Sequence, residues 1–160
     1  METGYAITEK QSRALDTALS DLLVLAEAES VFMSDHGGNL IACCSAETHN
    51  DGLIQTVAAL AAGAFNATRE LAALVKEPEF RAIYHQGSNR SIYIHALPSD
   101  FIVLVVFGEA TPVGLVKLYV ERTGREIESV IRTIGRQDAA TAGKQAVKFE
   151  LRDGDDMFDR

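Results

Sequence analysis

Apolar residues spaced three and four apart open the chain. Leu15, Ala18, Leu19, Leu22, Leu25 and Ala26 form one stripe and predict an amphipathic helix over about residues 8–28. Thr8 and Gln11 supply a T-x-x-Q capping box at its start. Two short strand-like runs follow, residues 31–34 and 40–45. They are joined by Asp35-His36-Gly37-Gly38-Asn39, residue types that tolerate the positive φ of a tight hairpin. A second helix, capped by Asn50 or Asp51, is expected to run to about Val75. Pro78 disfavours helix just before it, so the stop falls near Lys76. Three more strands are predicted at 81–86, 91–97 and 101–107, punctuated by Gly87-Ser88-Asn89 and Pro98-Ser99-Asp100. The first is the most polar and suits a sheet edge. The last is an unbroken apolar run, which marks a central strand covered on both faces. Thr111 and Pro112 read as N-cap and first residue of a third helix that ends at Gly135. Its buried side is Val113, Val116, Val120, Ile127, Val130, Ile131 and Ile134, with Glu121–Arg125 and Glu128–Arg132 as surface pairs.

The order is αββαβββα with a five-stranded antiparallel sheet, and a central strand needing two covers divides the helices between the faces. That is an α/β fold, a three-layer sandwich. One domain over 1–136 is expected, followed by a flexible linker and acidic tail over 137–160. A chain of 160 residues builds a core without staples, and 47% hydrophobic with 24% charged residues is a globular composition. Net charge is −8 with no run of bases, so nucleic acid is not an expected partner. Residues 1–10 carry acids and no apolar core, so no signal peptide is read there. No apolar run approaches the roughly 20 residues of a membrane span, so no membrane insertion is expected. Cys43 and Cys44 are adjacent, point to opposite faces of a strand and lack CxxC spacing. A reduced, cytoplasmic setting is the simplest expectation.

Catalytic constellations are missing from the sequence. There is no GxxxxGK[ST], no GxSxG and no HExxH. His36, His49, His85 and His95 show no ligand spacing and read as turn and strand-surface residues. The chain is therefore expected to be no enzyme, with no catalytic residue, metal or cofactor.

The second helix is the informative element. Leu53, Val57, Leu60, Ala64, Ala67 or Thr68, Leu71 and Leu74 form a large-residue stripe expected to lie on the sheet. The other side presents Ala58, Ala59, Ala62, Gly63, Asn66 and Ala73 where a solvated helix carries Lys, Glu or Gln. Glycine in mid-helix costs about 1 kcal/mol relative to alanine. Close approach of another backbone compensates such a cost, and Phe65 adds one large contact of the kind interfaces favour. The bland alternative is a helix rich in alanine because alanine is a good helix former. The sharper one is a helix covered by another protein. The polar third strand, with unpaired amides along an edge, offers a second route to association.

Several segments together resemble one known family. They are Glu79-Phe80, Tyr84-His85-Gln86-Gly87 and Ser91-Ile92-Tyr93-Ile94. To these are added Val103-Leu104-Val105-Val106-Phe107 leading into Thr111-Pro112-Val113-Gly114-Leu115-Val116-Lys117, and the small-residue helix through Ala61-Ala62-Gly63 to Leu71. Over about residues 8–135 the chain resembles the roadblock/dynein light chain domains, and within them the bacterial gliding-motility B (MglB-like) type. The resemblance implies a homodimer in which third strands pair across a two-fold axis and second helices lie side by side. It further implies that a small Ras-like GTPase sits on that helix pair. Hydrolysis of GTP is then stimulated by holding the GTPase's own catalytic groups in place, in a setting of cell polarity or motility. Carried onto this chain, the GTPase-facing patch is Ala59, Ala62, Gly63, Asn66 and Glu70. The dimer interface is Phe65, Arg69, Ile83, Tyr84 and His85.

The tail holds five acids against two arginines over residues 149–160, with Met157 and Phe158 near its end. It reads either as a solvated terminus or as a short acidic–hydrophobic motif that folds on the partner. Two other functions fit the composition: a non-catalytic scaffold or adaptor in a multiprotein complex, and a small-molecule sensor with an enclosed ligand.

Overall fold

The computed structural model describes residues 6–48 and 50–140, with side chains described as far as 133. The elements run α1 (Glu9–Leu25), β1 (Ser30–Asp35), β2 (Leu40–Ser45), α2 (Asp51–Leu74), β3 (Ala82–His85), β4 (Arg90–Ala96), β5 (Phe101–Gly108) and α3 (Val113–Ala140). All strand pairings are antiparallel, in the order β2-β1-β5-β4-β3. The strand expected at an edge, β3, is at one, and the apolar run β5 is the middle strand.

Alternation along the strands builds two cores. Val31, Met33, Val103, Val105 and Phe107 face α1 and α3, where they meet Leu15, Leu19, Leu22, Val116, Val120 and Ile127. Phe32, Ile94, Ile102 and Leu104 face α2. The unbroken apolar run of β5 is thus shared between both cores, which is why it shows no alternation in sequence. Each fully buried Leu, Ile or Phe contributes about 1.5–3 kcal/mol through surface withdrawn from water.

Local chemistry sets the element ends. The capping box forms: Thr8 N donates to Gln11 Oε1 at 2.8 Å and Gln11 N donates to Thr8 Oγ1 at 3.2 Å. Asn50 caps α2 by accepting from Gly52 N at 2.9 Å. In the β1–β2 hairpin, Asp35 accepts from the backbone and side chain of Asn39, both at 2.9 Å, and Gly38 takes φ +86°.

Four expectations fail locally. Leu25 is exposed, because α1 ends there and the chain turns away at Ala26. α3 starts at Val113, and the Thr111 hydroxyl donates to Glu27 O at 3.1 Å, tying the end of α1 to the start of α3. The helix does not stop at Gly135 but runs to Ala140, since Arg136, Gln137 and two alanines favour helix enough to carry it past one glycine. The surface pairs on α3 are not made: Arg125 donates to the Glu121 carbonyl at 3.4 Å, and Glu128 is buried against the β4–β5 turn. There its Oε1 accepts from Ser99 N at 3.1 Å and Ser99 Oγ at 2.6 Å.

Candidate protein interface

The sheet is covered unequally. Two helices, α1 and α3, close one face, whereas α2 alone lies on the other. Ile83, Ile92 and Val106, on the α2 side of β3, β4 and β5, are only partly buried. Beyond them β3 ends the sheet with one side unpaired among the described residues. Its Tyr84 stacks on Phe107 with ring centroids 6.1 Å apart but remains partly exposed, and His85 is exposed.

α2 is rotated away from the expected orientation. Its buried residues are Ile54, Ala58, Ala61, Ala62, Phe65 and Ala72. The leucines of the stripe expected on the sheet are instead outward, Leu53, Leu60, Leu71 and Leu74 being between 54% and 80% exposed, while Val57 of that stripe is half-buried against the sheet. The cause is physical. α2 carries two adjoining apolar faces, one with Ile54 and Phe65 and one with Leu53, Leu60 and Leu71, so spacing alone leaves its rotation open. Alanines against the sheet let the helix backbone approach closely, and Ile54 and Phe65 fill the space between.

The residues expected at the partner face are distributed accordingly. Ala59, Gly63, Asn66 and Glu70 are exposed on α2, and a Cβ on Gly63 would have nothing within 4 Å. Ala62 and Phe65, at 2% and 3% exposure, lie beneath the helix and present nothing outward. Asn66 Nδ2 donates to the His36 carbonyl at 3.0 Å, and Arg69 Nη2 meets His36 Nε2 at 3.3 Å, so both reach for the β1–β2 hairpin. On a helix of 3.6 residues per turn, Leu53 and Leu71 share one azimuth and Arg69 lies roughly 160° round from them. The hairpin therefore holds one flank of α2, and the leucines stand on the opposite flank. Ile83 is part-buried on the same side of the sheet. Met157 and Phe158 lie outside the described residues, as does His49.

The histidines read in sequence as turn and strand-surface residues; His36 does stand in the hairpin turn, but its ring and that of His95 are half-buried. His36 packs its ring 5.7 Å from that of Phe65, and its side chain is 17% exposed. Burial, then the Arg69 charge, pushes its pKa below the usual histidine value, against the smaller opposing pull of Asp100 and Asp35. His95 stacks beside Tyr93 and is likewise lowered, first by burial. The only signal in sequence was position: His36 stands in a hairpin facing a helix whose partners, Asn66 and Arg69, are thirty residues and more away. Cys43 and Cys44 lie opposite Phe32 and Val31, on different faces, and both are free. Among the described residues no group of three or more His, Cys, Asp or Glu could hold a metal ion. None of the described helices is long and apolar enough to cross a membrane.

The Roadblock/LC7 domain model matches residues 14–107, more than half of the chain. Among solved structures, the chain is similar to Myxococcus xanthus MglB, at 28% identity and TM-score 0.73 over 79% of this chain and 94% of that one. It is also similar to the gliding protein MglB from Thermus thermophilus, at 25% identity and TM-score 0.76 over 83% and 99%. A protein of Aquifex aeolicus is 20% identical over 132 residues, 82% of this chain and 81% of its own.

Proposed function

The chain belongs to the Roadblock/LC7 domain family, and on that premise we propose that it is a homodimeric regulator that binds a small Ras-like GTPase and stimulates its hydrolysis of GTP. The observation that carries this reading is the outward face of α2: four exposed leucines beside an open Gly63, next to a half-covered sheet and an unpaired β3. An apolar strip of this extent is uncommon on a soluble monomer and marks a surface that another polypeptide covers.

The dimer forms when β3 pairs with β3 of a second copy. That brings the second α2 over Ile83, Ile92 and Val106, and sets the leucine flanks of the two helices against each other. Ile83, Tyr84 and His85 then lie at the seam with Leu53, Leu60 and Leu71. The crest of the helix pair, with Ala59, Gly63, Asn66 and Glu70, remains for the GTPase. Small residues there let a switch loop come close to the helix backbone. Phosphoryl transfer gains mainly from positioning and charge stabilisation. A rigid helix pair that favours one switch-loop conformation supplies the positioning without donating a catalytic group. This assignment makes the protein a regulator acting in the cytoplasm, with no reaction of its own. The acidic–hydrophobic tail through Met157 and Phe158 is proposed as a second contact on the GTPase.

The test is phosphate release from a GTP-loaded small GTPase of the same genome, with and without the protein. Acceleration in the wild type, lost in Gly63→Arg while that variant stays folded and dimeric, supports the reading. Binding without acceleration assigns the chain to scaffolding instead. Stimulation that survives Gly63→Arg moves the partner off this crest.

A further inference from the structure

The β1–β2 hairpin grips α2 at three points on one flank. Gly38 lies so close that a Cβ on it would stand 2.7 Å from the Ala59 Cα. Asn66 holds the His36 carbonyl, and Arg69 reaches the His36 ring. The ring nitrogen Nε2 faces two groups of opposite charge on two different elements. One is the Arg69 guanidinium on α2 at 3.3 Å; the other is the Asp100 carboxylate, in the β4–β5 turn, at 4.0 Å. Nδ1 is buried and meets no hydrogen-bond partner among the described residues.

We propose that His36 is a positioning residue for the α2 interface: neutral, it holds Arg69 and locks the hairpin onto the helix, and protonated, it exchanges Arg69 for Asp100 and loosens that lock. The inference rests on the proposed function only in making α2 the partner-binding helix.

The chemistry of Nε2 requires the exchange. A guanidinium has donors and no acceptor, so Nε2 bonds to Arg69 only as an unprotonated acceptor. The proton of the neutral ring then sits on Nδ1. Adding the second proton turns Nε2 into a donor and places two cations 3.3 Å apart. The same proton gives Asp100, already within ion-pair distance, an N–H to accept. The charged groups that face His36 are Arg69 from α2, Asp100 from the β4–β5 turn and Asp35 from β1. Each Asp35 oxygen already accepts a bond from Asn39, and Asp100 is the carboxylate that lies within ion-pair distance of Nε2. Arg69 is exposed and, once released, leaves the hairpin held at Asn66, at Gly38 and by the ring contact of His36 with Phe65. The flank of α2 opposite the leucines is then less firmly seated, and the crest it presents becomes less rigid.

The test uses the full chain and needs no GTPase for its first reading. Histidine ring resonances are titrated by NMR, and amide exchange is followed in the hairpin and α2 across the same pH range. Expected for the wild type is a His36 midpoint below about 6.5, with the protection of hairpin and α2 amides, taken relative to their intrinsic exchange at each pH, several-fold lower below that midpoint. Arg69→Gln should raise the His36 midpoint part of the way, since burial remains. His36→Gln, whose side-chain oxygen accepts from Arg69 without titrating, should keep hairpin protection level through that midpoint and abolish the step. A His36 midpoint unmoved by Arg69→Gln, or a step that persists in His36→Gln, overturns the proposal. In a second arm, GTPase affinity is measured at the two ends of the step. A loss of affinity at the acid end in the wild type but not in His36→Gln supports the coupling to the interface. An equal loss in both refutes that coupling. Absence of GTPase binding at every pH strikes at the proposed function and leaves the NMR result standing.

Discussion

Gly38 and Ala59 bring two backbones into contact: a Cβ on the glycine would lie 2.7 Å from the Ala59 Cα. The glycine also takes φ +86°, a region side chains avoid. Two independent penalties therefore meet Gly38→Ala. The left-handed backbone costs about 1–2 kcal/mol, and overpacking against a helix costs about 1–3 kcal/mol. Unfolding in urea at fixed protein concentration should show a loss of about 2–5 kcal/mol. A loss well under about 1 kcal/mol would mean that the hairpin moves off α2 freely, and the clamp described above would then have little to hold.

Gly63 is the opposite case. Nothing lies within 4 Å of a Cβ placed on it, so within one protomer Gly63→Ala exchanges a poor helix former for the best one. The variant should gain about 1 kcal/mol in stability. If a GTPase loop approaches the helix backbone there, the same methyl group should weaken its binding. Stability from urea unfolding and affinity from calorimetry should move in opposite directions. A variant improved in both, or unchanged in affinity, would place the glycine outside the contact.

The leucine flank makes a separate claim. Leu71 is 54% exposed, so Leu71→Glu removes nothing from the core of the protomer. In a dimer that sets leucine against leucine, it buries an unpaired carboxylate. Sedimentation should show the wild type as a dimer and Leu71→Glu largely as a folded monomer, with the circular dichroism of the helices kept. Dimerisation that persists at wild-type strength would move the seam away from this flank.

Where the sequence was legible, the pattern had one solution or, at the α2 cap, two adjacent ones, Asn50 and Asp51. The capping box, the Asn50 cap and the hairpin each show as specific residue types at fixed spacing, and each forms. β5 was legible as a central strand because only a strand covered twice dispenses with polar positions. α2 was legible as a helix but not in its rotation. Ile54 and Phe65 share one face and Leu53, Leu60 and Leu71 the next, so two faces of the helix are apolar enough to bury. Shape decided the matter, through the close approach that Ala58, Ala61 and Ala62 permit. The same limit applies to Glu128 and Thr111. Each has a plausible local partner four residues or one turn away, and each is used instead by a segment distant in sequence. Of the candidate site, the small-residue helix was legible in the residues themselves; the patch Ala59, Ala62, Gly63, Asn66 and Glu70 was carried from the resemblance, and Ala62 of it is buried. The hairpin clamp was not, because His36 and Arg69 meet only after folding.

Ser99 anchors the buried Glu128 carboxylate through its amide and its hydroxyl. Removing the hydroxyl in Ser99→Ala leaves one of these bonds and exposes a buried carboxylate oxygen to a lost partner. Hydrogen bonds to charged groups contribute about 1.5–3 kcal/mol. The loss in urea unfolding should fall in that range. Ser99→Thr, which keeps a hydroxyl, should recover part of it.

Acid should destabilise the protein through two half-buried histidines. His36 and His95 both titrate below the ordinary histidine value in the folded chain, each chiefly because burial disfavours the charged ring. Unfolded, both return to about 6.5. Between the two values the unfolded chain binds more protons than the folded one, so stability rises with pH across that window. Their contribution is complete above about 6.5 and is lost as pH falls through the folded-state values. Each group adds at most about 1.4 kcal/mol per pH unit to the slope. Urea unfolding from pH 7.5 down to 5 should therefore show a falling midpoint. His95→Phe, which keeps a ring beside Tyr93, should flatten the fall by one proton's share, and His36→Gln by another. A double variant whose stability declines as steeply as that of the wild type would shift the cause to carboxylates elsewhere in the fold. The stacked His95 and the clamped His36 would then be bystanders to acid unfolding.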